Sequence, residues 1–488
     1  MSSAPTRVEL PPDLPTELLI GGHWRRSADD TRFEVVDPSS GLALTTVADA
    51  TPDDGRAALD AAAASARSWA SSAPRLRAEI LRRAFDTVIS RAADFARLMT
   101  AEMGKPLSEA HGEVVYGAEF LRWFSEEAVR VPGQYSMNPE STGRIVVSAR
   151  AVGPAYLITP WNFPLAMATR KIGPALAAGC TVVIKPAANT PLTTLLLAQV
   201  LIDSGVPDGV LNVIPTSQAR PVSTPIINDP RLRKLSFTGS TEVGRQLLAQ
   251  ASSTVLRTSM ELGGNAPFLV FSDANLEAAV DGALLAKFRN IGQACTAANR
   301  FFVHQDRAAE FVDRITRRVQ DMQVGPGSTD GNTIGPMIDA AAVRSTQELV
   351  DDAVARGAEL RTGGRALDGP GFYFPPTVLD GVAKDSRLMR EEIFGPVLAV
   401  STFESDDEAV TMANDTEYGL VGYAYTRDLA RAHWLIDRLD TGMMGLNTGV
   451  VSNAAAPFGG VKQSGLGREG GHEGMQEYLA TKYTLIPA

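Results

Sequence analysis

The sequence runs to 488 residues, 44% hydrophobic and 21% charged, with a formal net charge of −10 at pH 7. That length exceeds what one hydrophobic core organises, so two large domains are expected, with room for a smaller appendage. The acidic balance argues against nucleic acid or an anionic membrane as partner, which leaves any anionic ligand to a few local cations.

Residues 1–19 are polar and proline-rich, lack a secretory pattern and read as a loose leader. No apolar run approaches the roughly 20 residues that span a bilayer, and 195–202 is interrupted by Gln199 and closed by Asp203. A cytoplasmic location is expected. From 52 to 104 the pattern is helical: 57–69 is alanine-rich, and Leu76, Ile80, Leu81, Ala84, Val88 and Ile89 form a stripe. A further helix over 109–129 carries Tyr116, Phe120, Trp123 and Phe124, an aromatic stripe suited to core packing. A turn over 138–143 leads into a strand over 144–151, which with 483–486 forms a projecting ribbon able to pair with another subunit.

Between 155 and 270 strands alternate with helices: 156–158, helix 165–178, 181–184, helix 192–204, 210–214, 234–237 and helix 241–251. Such βα units predict a parallel, doubly wound sheet. A helix over 276–288, capped by Asp273 and stopped near Gly292, then leads to Cys295. A second α/β set follows, with strands at 301–303, 398–403, 421–425 and 443–446 and helices at 307–321, 340–356, 406–413 and 429–437.

The two cysteines, Cys180 and Cys295, supply no disulfide framework, and the five histidines lack ligand spacing, so no metal is expected. Cys180 adjoins an apolar run and reads as packing. Cys295 stands among glycine, glutamine and threonine on a connection, which suits an accessible nucleophile. Three strand ends carry further candidates. Asn162, between Pro160 and Pro164, is a rigidly presented amide fit for an oxyanion hole; Lys185 stands where it can hold a ribose or phosphate, or simply be solvated. The turn with Gly239 and Ser240 opens a helix whose free N–H groups suit a pyrophosphate or merely begin the helix. Glu261, beside Gly263 and Gly264, is a positioned base or a turn acid.

The strings PWNFP (160–164), KP (185–186), FTGSTEVG (237–244), ELGGNAP (261–267), GQAC (292–295), EEIFGP (391–396) and PFGGVKQSGLGREGG (457–471) occur in the order seen in the aldehyde dehydrogenase superfamily. The chain resembles that family over nearly its whole length, and looks most like its succinate-semialdehyde branch. The resemblance implies an α/β fold with three parts. These are a Rossmann-like cofactor domain (1–127 and 150–261), an α/β catalytic domain (262–467) and small β bridging elements (128–149 and 468–488) that make homodimers or homotetramers. It implies that Cys295 is the nucleophile, that Asn162 and the Cys295 N–H form the oxyanion hole, and that Glu261 activates the hydrolytic water. Trp161, Lys185, Ala188, Gly239, Ser240, Glu392 and Phe394 would then line the cofactor, NADP with NAD possible. Arg170, Arg289 and Ser452 would hold the distal carboxylate of a small aldehyde.

Two departures matter. Position 297, often a second cysteine in that branch, is alanine; position 188, often glutamate in NAD-preferring relatives, is also alanine, which removes a repulsion from a 2′-phosphate. The expected reaction is therefore NAD(P)-dependent oxidation of succinic semialdehyde. Another small aldehyde such as glutaric semialdehyde, a CoA-acylating enzyme and a catalytically silent binding relative are the alternatives.

Overall fold

The computed structural model describes residues 10–488 and is built on two large sheets. Residues 1–9 of the expected leader lie outside the described residues; its end, Leu18–Ile20, is a strand. The first sheet runs, edge to edge, Gly465–Leu466, Arg257–Glu261, Lys234–Thr238, Ala155–Ile158, Val182–Lys185, Leu211–Val213, Leu18–Ile20 and His23–Arg25. Its five central strands are parallel, as predicted, while Gly465–Leu466, Leu18–Ile20 and His23–Arg25 join antiparallel. The chain passes from Ala155–Ile158 to Leu211–Val213 in one direction and then returns to the other side of its starting strand. The crevice at that reversal, outside Ile158 and Thr238, is where such sheets bind ligands.

The second sheet orders Glu359–Thr362, Thr377–Asp380, Val397–Phe403, Ala298–His304, Ala266–Val270, Val421–Tyr425 and Met443–Leu446, parallel except for its first pair. Its central strands are buried on both faces, which explains their continuous apolar runs. A third, antiparallel sheet joins Gln134–Met137, Gly143–Ala151 and Leu479–Pro487, and so closes the expected ribbon. Among the described residues no helix is long and apolar enough to cross a membrane.

Several local expectations are corrected. The helical stretch before Gly104 divides into Pro52–Ala70, Pro74–Ser90 and Ala92–Met103; Leu76 and Ile89 face outward, whereas Ile80, Leu81, Ala84 and Val88 are core. Asn275, not Asp273, caps Leu276–Phe288 by accepting from the Ala278 N–H. Asp273 instead accepts from the Arg427 and Asp428 N–H groups at 2.7 and 2.9 Å and pairs with Arg431. The helix ends four residues before Gly292, at Phe288. Helix Ala219–Ile227 was not expected, because Pro221 and Pro225 break its pattern.

Candidate active site

The site lies where the strand ends of the first sheet face the loop that feeds Ala298–His304 of the second. After Phe288 the backbone makes one tight turn in which Asn290, Ile291 and Gly292 all have positive φ (56°, 60° and 70°). For a β-branched residue such as Ile291 this is strained, by about 1–3 kcal/mol, and its burial at 1% exposure helps hold it there. The turn is tied to the facing loop: Asn290 Nδ2 donates to Asn162 O at 3.0 Å, and Asn162 Nδ2 donates to Gln293 O at 3.0 Å. Cys295 follows, half-buried.

A cavity of about 240 Å³ is lined by Trp161, Asn162, Gly239, Ser240, Glu261, Cys295, Glu392 and Phe394. The structure thus brings eight of the expected site residues together from both sheets. Burial pushes the Cys295 thiol up to about 12; Arg170 and Arg289 oppose the shift, while Glu392 and Glu261 add to it. Glu261 is 2% exposed and neither carboxylate oxygen has a hydrogen-bond partner among the described residues. Burial and then the charge of Glu469 raise it well above the usual carboxylate range, against Arg170, Lys171 and Arg468. A carboxylate in that condition is a stronger base than an ordinary one, which suits the removal of a proton from water. Glu392 accepts from the Gly264 N–H at 3.1 Å and is raised by burial to about 7. Trp161 and Phe394 meet edge to face with centroids 5.3 Å apart.

Lys185 and Ala188 line a larger cavity of about 1050 Å³ that shares Trp161, Gly239 and Ser240 with the first. The Lys185 ammonium is buried beside the Pro186 carbonyl at 3.1 Å, with no carboxylate partner among the described residues, and burial alone lowers it to about 8. Thr238 Oγ1, on the wall of both cavities, is buried and unpartnered. Ser240 caps helix Thr241–Ala251, whose first turn faces this space. Arg220 joins Lys185 as the second cation of the lining; it comes from the unexpected helix Ala219–Ile227.

The expected carboxylate clamp is not brought together as a unit. Arg170 is buried, with Nε 2.6 Å from Glu469 and its guanidinium 4.1 Å above the Phe458 ring, so its charge is already shared inside the protein. Arg289 is half-buried over the Phe163 ring, and among the described residues no carboxylate pairs with it. Ser452 lines a separate cavity of about 470 Å³ with Tyr116, Glu119, Arg122 and Trp123. The aromatic helix face therefore serves both core and cavity: Phe120 and Phe124 are buried, while Tyr116 and Trp123 form this wall.

Sequence reasoning missed the residues behind the site. Glu469 holds Lys171 and Arg170, and despite burial those two cations keep it below the usual carboxylate range. Lys105, Glu109 and Glu113 brace the two loops, Glu109 accepting from the Asn290 N–H at 2.7 Å. The spacing of Glu109 and Glu113 puts both on one helix face, but nothing in the sequence says what that face meets.

A sequence model described as the aldehyde dehydrogenase family matches residues 24–484. The chain is 56% identical over 443 residues to the succinate-semialdehyde dehydrogenase of Paenarthrobacter nicotinovorans, covering 91% of this chain and 98% of that protein. It is 45% identical to the NADP(+) succinate-semialdehyde dehydrogenase of Escherichia coli strain K12, with 96% and 97% covered. The crystal structure of succinate-semialdehyde dehydrogenase from Burkholderia pseudomallei superposes with a TM-score of 0.96 at 47% identity, covering 97% of this chain and 98% of that one.

Proposed function

The chain belongs to the aldehyde dehydrogenase family, and on that premise we propose that it oxidises succinic semialdehyde to succinate with NADP, NAD being usable. The observation that carries the reading is that a thiol, an amide and a bare carboxylate, Cys295, Asn162 and Glu261, line one cavity. In the proposed sequence Cys295 gives up its thiol proton to solvent as its Sγ adds to the aldehyde carbon, and the oxyanion is held by Asn162 Nδ2 and the Cys295 N–H. When bound, NADP supplies the hydride acceptor. Glu261 then takes a proton from water as that water attacks the thioester, which releases the acid and restores the thiol. This hydrolytic base argues against transfer of the acyl group to CoA.

The residues fit a phosphorylated dinucleotide. A buried ammonium without a carboxylate partner at Lys185, an unpartnered Thr238 hydroxyl and a helix start at Thr241 all face the larger cavity. Lys185 and Arg220 would attract a 2′-phosphate, with Ala188 adding no opposing charge. Glu392 would hold the nicotinamide ribose, with Phe394 and Trp161 against the ring.

For the distal carboxylate, Arg289 is the one of the two arginines without a carboxylate partner among the described residues, so it is the principal contact, with Arg170 and Ser452 subsidiary. The three larger sheets support the division into cofactor, catalytic and bridging parts, with strand Gly465–Leu466 of the catalytic part crossing over to pair with Met260 and Glu261 in the first sheet. The bridging sheet leaves Tyr135 and Tyr483 exposed, which supports a homodimer or homotetramer; a cytoplasmic location belongs to the same proposal. The decisive experiment sets succinic semialdehyde against butanal and glutaric semialdehyde, each with NADP and with NAD. A specificity constant for butanal equal to that for succinic semialdehyde would refute the substrate reading, and a strong preference for NAD would refute the cofactor reading.

A further inference from the structure

The Lys105 side chain is buried to 1% exposure and lies between the two loops of the site. Its Nζ donates to Asn162 O at 2.8 Å, pairs with Glu113 and sits 4.2 Å above the Phe163 ring. Glu113 Oε1 in turn accepts from the Leu165 and Ala166 N–H groups at 3.0 and 3.2 Å. These open helix Pro164–Ala178, whose N-cap residue Phe163 has no side chain able to cap it. One ion pair therefore ties down the backbone on both sides of Phe163. Asn290 Nδ2 fills the second acceptor position of Asn162 O at 3.0 Å, so that carbonyl has two donors.

We propose that Lys105, anchored by Glu113, is a positioning residue that fixes the Asn162 peptide and thereby aims its side-chain amide at the developing oxyanion. The inference rests on the proposed function of Cys295 and Asn162. Two filled lone pairs on Asn162 O resist rotation of the 162–163 peptide plane and so fix the point from which the side chain starts, while the bond from Asn162 Nδ2 to Gln293 O at 3.0 Å holds its rotamer. A misplacement of about 1 Å in such a donor is enough to cost about a hundredfold in rate. The ion pair is a costly thing to bury, and an apolar pair of similar volume would pack the same space without that cost. What an apolar pair cannot do is donate to one loop carbonyl and accept from two helix amides.

The test is a double-mutant cycle on Lys105→Met and Asn162→Ala, read by single-turnover hydride transfer to NADP. Iodoacetamide alkylation of Cys295, which forms no oxyanion, and NADP affinity measured by fluorescence quenching are followed in parallel. Lys105→Met is expected to slow hydride transfer by about ten- to a hundredfold, while alkylation and NADP affinity stay within about threefold. In the Asn162→Ala background the same change should cost less than about threefold more, because the group it positions is already gone. Multiplicative losses in the double variant, or equal falls in alkylation and cofactor affinity, would overturn the proposal. If Lys105→Met does not fold, Glu113→Gln carries the same cycle, since its amide oxygen still accepts from Leu165 and Ala166 while the anchor charge is lost. The wild-type rate with succinic semialdehyde is measured first, so a wrong substrate shows there. Any aldehyde the wild type oxidises can then report the cycle.

Discussion

Cys180 is wholly buried, its Sγ donates to Tyr478 O at 3.4 Å, and burial pushes its thiol up to about 11. Cys295 borders a cavity beside an amide and a carboxylate. Cys295→Ala should abolish aldehyde oxidation and leave NADP binding intact, whereas Cys180→Ala should lower the melting temperature and spare turnover; steady-state kinetics and thermal unfolding read both. Glu261 is a second residue with a sign to test. Its folded state holds a proton over a pH range in which the unfolded chain has lost it, so stability falls as pH rises through that window, from the ordinary carboxylate value to the raised one. Glu261→Gln should therefore melt higher than wild type at pH 8, with the gap closing towards pH 4. Rapid mixing should show a burst of NADPH followed by slow acid release. Arg289→Ala removes a charge-assisted contact of about 1.5–3 kcal/mol, or roughly ten- to a hundredfold in kcat/KM for succinic semialdehyde, with butanal little changed. Arg170→Ala should instead slow both aldehydes and the alkylation of Cys295, because it takes from Glu469 one of its two cationic partners and from the thiol the larger opposing influence. At this scale the sequence was most legible where chemistry needs a rare side chain. The roles of Glu469 and Lys105 were invisible, since a buried charge is recognised only by the partner that the fold delivers from far along the chain.

At the scale of elements, alternation of strand and helix marked the parallel core of both sheets, because strands buried on both faces read as apolar runs. Edges and caps were harder. Leu18–Ile20 and Gly465–Leu466 are three and two residues long and take their form from the neighbour they pair with. Asp273 looked like a cap because it precedes a helix, yet three groups around 426–428 compete for it and Asn275 is two residues nearer. Helix Leu192–Asp203 makes the same point with a measurable consequence. Its first N–H groups are satisfied not locally but by Glu102, which accepts from Leu192 and Thr193 at 2.8 and 2.9 Å from a different helix. Glu102→Ala would orphan both donors in a buried setting and should cost about 1–3 kcal/mol. A lowered denaturation midpoint with unchanged KM values is the expected result, and an unchanged midpoint would show that water replaces the carboxylate.

Across the whole molecule, the site is a seam: one sheet supplies Asn162, Ser240 and Glu261, and the stretch before Ala298–His304 of the other supplies Cys295. The antiparallel sheet has a different history written into it. Gly143–Ala151 pairs residue for residue with Leu479–Pro487, a partner encoded more than 300 residues later. During synthesis at about 5–20 residues per second, the earlier strand must wait on the order of 20–60 s before its partner exists. Over that interval Gln134–Met137 can pair with one edge of it, at Arg144–Val147, and the other edge remains an open template. A nascent chain stalled before residue 479 would expose that template with both large sheets already encoded. Slow decoding of the last segment should therefore favour aggregation even though every active-site residue has been made.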